Sequence, residues 1–309
     1  MGARVGRVGG HGTIRSGVMA VFRPFKSSGR VDLNQQASTA DETGQHGDAH
    51  VASVGPWQPW RLLYRTPLLL LLCLIGLPLL LFALLPGIRR LPVFGRSLGW
   101  RAQRRYARAL VWTTGMRLRV HGELPRGPML VVANHISWFD IPVLHALSPM
   151  WLVAKHDIRD WLLVGPLARA VGTIFIARGD EASRRAAARR MAALLKRGRV
   201  VGVFPEGGIR PERGVNRFHA RLLGPAIRSG TPILPAAIRY WRDGDVHDER
   251  VFSAGKSFAG LLISNMARPP CEAQVFLGRP LATDGDSLRG DLAKLAQQQV
   301  TEMYGHAAR

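Results

Sequence analysis

Between Pro67 and Ile88 the chain runs 22 residues without a charged side chain, most of them leucine. Arg61 and Arg65 precede the run, and Arg89 and Arg90 follow it. As a helix it would be about 33 Å long, enough to cross a bilayer. Pro67 suits a first helical turn. Pro78, with Gly76 nearby, predicts a kink in the middle, so a bent helix dipping into one leaflet stands beside a full span. The run starts too deep in the chain for a cleaved signal peptide and lacks a small-residue cleavage site. Within twenty residues on each side, two arginines precede it and seven follow (Arg89, Arg90, Arg96, Arg101, Arg104, Arg105 and Arg108). The positive-inside rule then places the downstream chain in the cytoplasm.

Charge supports a negatively charged partner. The 309 residues carry 43 Lys+Arg against 21 Asp+Glu, a formal net charge of +22. Such an excess suits nucleic acid, a membrane surface or a phosphorylated substrate. From Ser97 to about Thr114 the pattern predicts a helix. Arg101, Arg104, Arg105 and Arg108 share one of its faces, where like charges cost a few tenths of a kcal/mol per pair. The stripe makes sense on anionic headgroups, with Trp100, Tyr106 and Trp112 near the interface. The two cysteines, Cys73 and Cys271, do not suggest a structural disulfide, and no Cys/His cluster has zinc spacing. Residues 1–56 are rich in Gly, Ser, Arg and Asp without a sustained apolar period, the composition of a disordered segment.

Further along, short apolar runs alternate with helical patterns. The strand candidates are Met129–Ala133, Trp151–Ala154, Thr173–Ile176, Val200–Phe204, Ile233–Ile238 and Ala273–Leu277. Among the helices, one runs from Glu181 to Arg197 with Asp180 as N-cap and Gly198 past its end, and another from Leu288 to about Tyr304. The alternation predicts an α/β fold, a mixed sheet covered by helices and preceded by a membrane-associated helical segment. The expected division is 1–56 disordered, 57–115 membrane-associated and 116–309 a single domain.

Three strand ends carry chemistry. The run Met129–Ala133 stops at Asn134-His135, and Asp140 follows five residues later. Five positions apart on a regular helix the two side chains would diverge by about 140°. They meet only if the chain turns between them, with Asp140 in a first helical turn. Asp140 could then accept from one ring nitrogen of His135 and leave the other free to take a proton. Arg178 follows the third strand candidate, where a guanidinium can grip phosphate with two parallel bonds. Glu206 lies in Phe204-Pro-Glu-Gly-Gly-Ile-Arg210, a tight turn where backbone can approach a ligand. Neither a Walker loop nor a G-x-S-x-G elbow is present.

At these residues the chain resembles the glycerolipid acyltransferases, in particular bacterial 1-acylglycerol-3-phosphate acyltransferases. Asn134-His135-x-Ser137-x-x-Asp140 is similar to that family's first motif. Gly172-x-x-Phe175-Ile176-x-Arg178 is similar to its second, Phe204-Pro205-Glu206-Gly207 to the start of its third, and Thr231-Pro-Ile-Leu-Pro235 to its fourth. The order is the family's own. The chain departs from the pattern where Gly208 and Ile209 push the arginine back to Arg210, and where His219 and Ala220 follow Phe218. Both departures fall in the region the family uses for its acceptor.

The resemblance implies transfer of a fatty acyl group from acyl carrier protein or coenzyme A to a lysophospholipid hydroxyl, with 1-acylglycerol-3-phosphate as first acceptor and lyso-ornithine lipid as rival. It implies His135 as general base and Asp140 as its orienting partner. Arg178, Glu206, Gly207, Arg210, Gly172 and Phe175 would shape the acceptor subsite. No metal, no cofactor beyond the acyl donor and no nucleic acid are called for. A membrane-tethered basic binding protein without catalysis explains the charge and the apolar run, but not four ordered motifs.

Overall fold

The computed structural model describes residues 58–161, 164–177, 179–209, 214–242, 257–284 and 288–305. The chain opens with the apolar run as two helices, α1 (Trp60–Leu71) and α2 (Leu77–Ala83), joined by a π-helical turn over Leu72–Gly76. A 3-10 turn at Ile88–Arg90 leads to a short hairpin, β1 (Pro92–Val93) and β2 (Arg96–Ser97). Helix α3 (Leu98–Thr113) then runs into β3 (Met116–His121). After β4 (Met129–Ala133) come α4 (Asp140–Leu147), β5 (Trp151–Lys155), α5 (Val164–Ala170), β6 (Ile174–Ile176) and α6 (Glu181–Lys196). The chain continues through β7 (Val200–Val203), α7 (Gly224–Ser229), β8 (Ile233–Trp241), α8 (Phe258–Met266), β9 (Cys271–Leu277) and α9 (Arg289–Gly305).

Strands β3 to β9 form one sheet in the order β3-β9-β8-β4-β7-β5-β6. Five are mutually parallel, while β3 and β9 run antiparallel to them through the β8–β9 pairing. The sheet is mixed, as expected. Every residue of β4 is buried, which requires helices on both faces. Helix α3 packs on α4, α6 on α7, and α9 on β8. The chain leaves β4 past β7 to reach β5, and leaves β7 past β4 to reach β8. These two neighbours thus send their connections in opposite directions, which opens a crevice at their carboxyl ends.

Several expectations needed correction. Pro67 lies inside α1, because the helix starts at Trp60. The kink expected at Pro78 is the π-helical turn before it. A proline ring clashes with the carbonyl four residues back, here Leu74, and the wider turn relieves that clash. Strand β3 was missed because its apolar residues, Met116, Leu118 and Val120, alternate with Arg117, Arg119 and His121 instead of forming a continuous apolar run. Three of the four arginines in the α3 stripe have protein partners: Arg104 donates to Leu147 O (3.1 Å) and Arg108 to Ala146 O (3.2 Å), while Arg101 donates to Val93 O and Phe94 O. Arg104 and Arg108 therefore satisfy the orphan carbonyls that end α4.

The apolar helices lie along the domain. Helix α1 packs on α8, and α2 on α3. Leu63, Leu70, Leu74, Ile75, Leu79 and Phe82 point outward as one exposed stripe. Arg65 faces the other way and is 3% exposed. Its Nη1 donates to Met266 O and Arg268 O, both at 2.8 Å, at the carboxyl end of α8. A Cβ on Gly115 would fall 2.5 Å from that same guanidinium nitrogen, so glycine there leaves the room that Arg65 fills.

Candidate active site

β4 delivers the site to the crevice. At its end Asn134 closes the gap to β8 with two bonds: its Nδ2 donates to Ile238 O (2.8 Å) and its Oδ1 accepts from Ile238 N (2.7 Å). The side chain thus replaces a ladder partner and fixes where the backbone turns away. The turn is tightened by Asp140 N–H donating to Ser137 O (3.1 Å) and by Phe139 N–H donating to Ser137 Oγ (3.2 Å). Asp140 becomes the first residue of α4, the position expected of it.

His135 Nδ1 and Asp140 Oδ2 are 2.8 Å apart. The same oxygen accepts from the backbone N–H of Ile136 (2.8 Å) and Ser137 (2.9 Å). An oxygen already receiving two backbone donors is an acceptor toward the ring, so Nδ1 carries the hydrogen and Nε2 bears the free lone pair. The other oxygen, Oδ1, accepts from Tyr240 Oη (2.7 Å). Asp140 and Tyr240 are fully buried, and burial, followed by the neighbouring Asp140 charge, drives the Tyr240 phenol well above its usual pKa, so it acts as a donor. The His135 side chain is 14% exposed and lies flat on Phe204, centroids 4.0 Å apart at 13°. Nε2 has no hydrogen bond among the described residues.

Glu206 enters from the turn after β7. It is 1% exposed; its Oε1 accepts from His135 N–H (3.1 Å) and its Oε2 from Asn216 Nδ2 (3.0 Å). Burial raises its carboxyl pKa, against the opposing pull of Asn216 and His135. Gly207 follows at φ +78°, where a Cβ would press on the His219 ring at 3.4 Å. Beside the turn, Trp138 packs against Trp161 (5.3 Å) and edge-on against Phe258 (6.2 Å), an aromatic cluster open to solvent.

Of the residues expected at the acceptor subsite, Glu206 meets His135, and Gly207 follows it in the same turn. Gly172 does not: it precedes β6, at the amino edge of the parallel strands, and its φ of +87° and lack of Cβ seat Trp151, whose Nε1 would be 2.5 Å from a Cβ there. Phe175 lies within β6, three strands from β4 and thus about 14 Å across the sheet. Arg178 and Arg210 lie outside the described residues. Two residues of the site escaped sequence reasoning, Tyr240 and Asn216. A tyrosine inside an apolar strand does signal a hydroxyl in need of a partner, but does not name it.

A strand-end imidazole held by a buried carboxylate, with its second nitrogen open to the crevice, is the equipment of an enzyme that moves a proton during group transfer. The acyltransferase family model matches residues 117–239. The lyso-ornithine lipid O-acyltransferase of Pseudomonas aeruginosa is 37% identical over 253 residues, spanning 80% of this chain and 95% of that protein. The 1-acyl-sn-glycerol-3-phosphate acyltransferase of Neisseria gonorrhoeae is 36% identical over 119 residues, 38% of this chain and 46% of that protein. The crystal structure of the 1-acyl-sn-glycerophosphate acyltransferase PlsC from Thermotoga maritima superposes with a TM-score of 0.62 at 21% identity, covering 81% of this chain and 96% of that one. The chain belongs to the acyltransferase family and is an acyltransferase.

Proposed function

We propose that the protein transfers a fatty acyl group from a thioester to the hydroxyl of a lysolipid, with His135 as general base. The observation that carries this reading is the 2.8 Å contact between His135 Nδ1 and a four-donor Asp140. Nε2 takes the proton of the acceptor hydroxyl as its oxygen attacks the thioester carbonyl. The C–O bond forms, the C–S bond breaks, and the thiolate leaves with the proton from the imidazolium. Asp140 holds the ring and balances its positive charge while it carries that proton. Glu206 fixes the backbone of His135 rather than touching the reacting atoms. The reaction so written uses no metal and no cofactor beyond the acyl donor, acyl carrier protein or coenzyme A.

The acceptor we assign is lyso-ornithine lipid. The relative of that name matches this chain along 95% of its length, whereas the glycerophosphate relative matches over 46% of its own. The Gly-x-x-Phe-Ile-x-Arg run ending in Arg178 favours 1-acylglycerol-3-phosphate as a second reading. A competition assay with equal amounts of both lysolipids and one acyl donor, read by mass spectrometry, separates them. Ornithine lipid should exceed phosphatidic acid by about tenfold or more; an excess of phosphatidic acid reverses the assignment.

The site works on one face of a membrane. The exposed stripe of α1 and α2 runs along the domain instead of away from it, which suits a helix pair lying in one leaflet rather than a span. The excess of arginine after the run favours the cytoplasmic leaflet of the inner membrane.

A further inference from the structure

A second cavity lies at the other end of the sheet. Its volume is about 610 Å³, and Arg89, Arg90, Arg197 and Arg199 are among the residues that line it. Its position follows from the strands. Trp151, the first residue of β5, and Arg199, just before β7, line it, whereas His135 stands past the last residue of β4. Trp151 is level with the start of β4 through Val201, so about 16 Å of strand separates this cleft from His135.

The cleft is built for an anion. Among the described residues, no Asp or Glu lines it. None of the four guanidinium groups has an ion pair or side-chain hydrogen bond among the described residues. Arg199 is stacked over the Trp151 ring at 5.5 Å, which orients it without consuming its donors. Gly172 seats that tryptophan, which gives the displaced motif glycine a role here. The remaining wall is apolar, with Leu84 and Leu194 among its residues, and Trp100 completes an aromatic rim. Leu84 to Arg90 directly continue α2, so the cleft opens where the exposed apolar stripe ends.

We propose that this cleft binds the anionic headgroup of a membrane phospholipid, separately from the acyl-transfer site. The inference rests on the stripe of α1 and α2 lying in the membrane. Four arginines match the oxygens of a phosphate, the apolar wall suits the glycerol and first methylenes, and tryptophan belongs at headgroup depth.

The test is co-sedimentation of the full chain with phosphatidylcholine vesicles, with and without phosphatidylglycerol. The variants are Arg197→Gln/Arg199→Gln, Arg89→Gln/Arg90→Gln and, as a charge-matched control on the exposed face of α6, Arg185→Gln/Arg189→Gln. Wild type should bind both vesicles and bind the anionic ones more tightly. Each cleft double should lose about tenfold or more of that gain, and the control less than about threefold. Wild type that ignores phosphatidylcholine vesicles overturns the membrane placement of the stripe, and the cleft assignment with it. Wild type that binds them but gains nothing from phosphatidylglycerol, or cleft doubles that lose no more than the control, overturns the cleft assignment alone. Inorganic phosphate that abolishes the gain at an ionic strength where chloride does not makes the ligand a free anion and overturns the lipid. Cleft doubles that keep the vesicle gain but lose binding to acyl carrier protein overturn it as well.

Discussion

Four donors converge on the two oxygens of Asp140, and only one of them belongs to His135. Asparagine can reproduce this pattern: its oxygen takes the place of Oδ2, and its amide nitrogen donates to the Tyr240 oxygen. Asp140→Asn should therefore fold with a melting temperature near wild type. It should lose about a hundredfold or more in turnover, because the charge that balances the imidazolium is gone. Steady-state kinetics and a thermal melt on one preparation check both halves. Tyr240→Phe should behave in the opposite way. It leaves a buried carboxylate oxygen short of its donor, so stability should fall by about 1.5–3 kcal/mol in urea denaturation while turnover changes less than about tenfold. His135 and Asp140 were legible because their spacing forces a turn within six residues. Tyr240 was not, because it reaches Asp140 only through the register of β8 on β4, one hundred residues away.

Between elements, the seam of α3 and α4 holds a titrating group that chemistry does not use. His145 is buried, hydrogen-bonded to Gln103 Nε2 at 3.0 Å, and burial lowers its pKa to about 4 from the usual 6.5. The unfolded chain takes up this proton below pH 6.5 and the folded chain does not until about 4. Stability from this group is thus intact above pH 6.5 and is lost as pH falls toward 4. His145→Gln, which keeps a partner for Gln103 without titrating, should flatten the fall in melting temperature across that window. An unchanged slope would assign the fall to other groups. Arg65 is the matching anchor between α1 and α8. Arg65→Met orphans buried carbonyls at the end of α8 and should cost about 2–3 kcal/mol, measured by denaturation in detergent. Apolar runs revealed six of the seven main strands, most plainly β4 and β8, whose burial on both faces shows as nearly unbroken apolar sequence. The two uses of arginine, on α4 carbonyls and in α1, were hidden because a sequence shows a charge but not the backbone groups that satisfy it.

At the scale of the whole molecule, the sheet sets two sites at opposite ends of its parallel strands, and the apolar helices run along the domain between them. Their outward stripe is where membrane attachment should reside. Leu74→Lys with Phe82→Lys, both at exposed positions, should move the protein from the membrane fraction toward the soluble one with little change in stability. Retention on membranes would relocate the attachment elsewhere in the chain. That attachment positions the reaction but does not perform it; the claim that decides the account is proton transfer by His135. The direct measurement is acyl transfer by purified wild type and His135→Ala, each shown folded by its melt, with lyso-ornithine lipid and 1-acylglycerol-3-phosphate as acceptors. Wild type should acylate at least one of them, and His135→Ala should be slower on that acceptor by about a hundredfold or more. A folded His135→Ala protein that turns over at the wild-type rate would contradict the account.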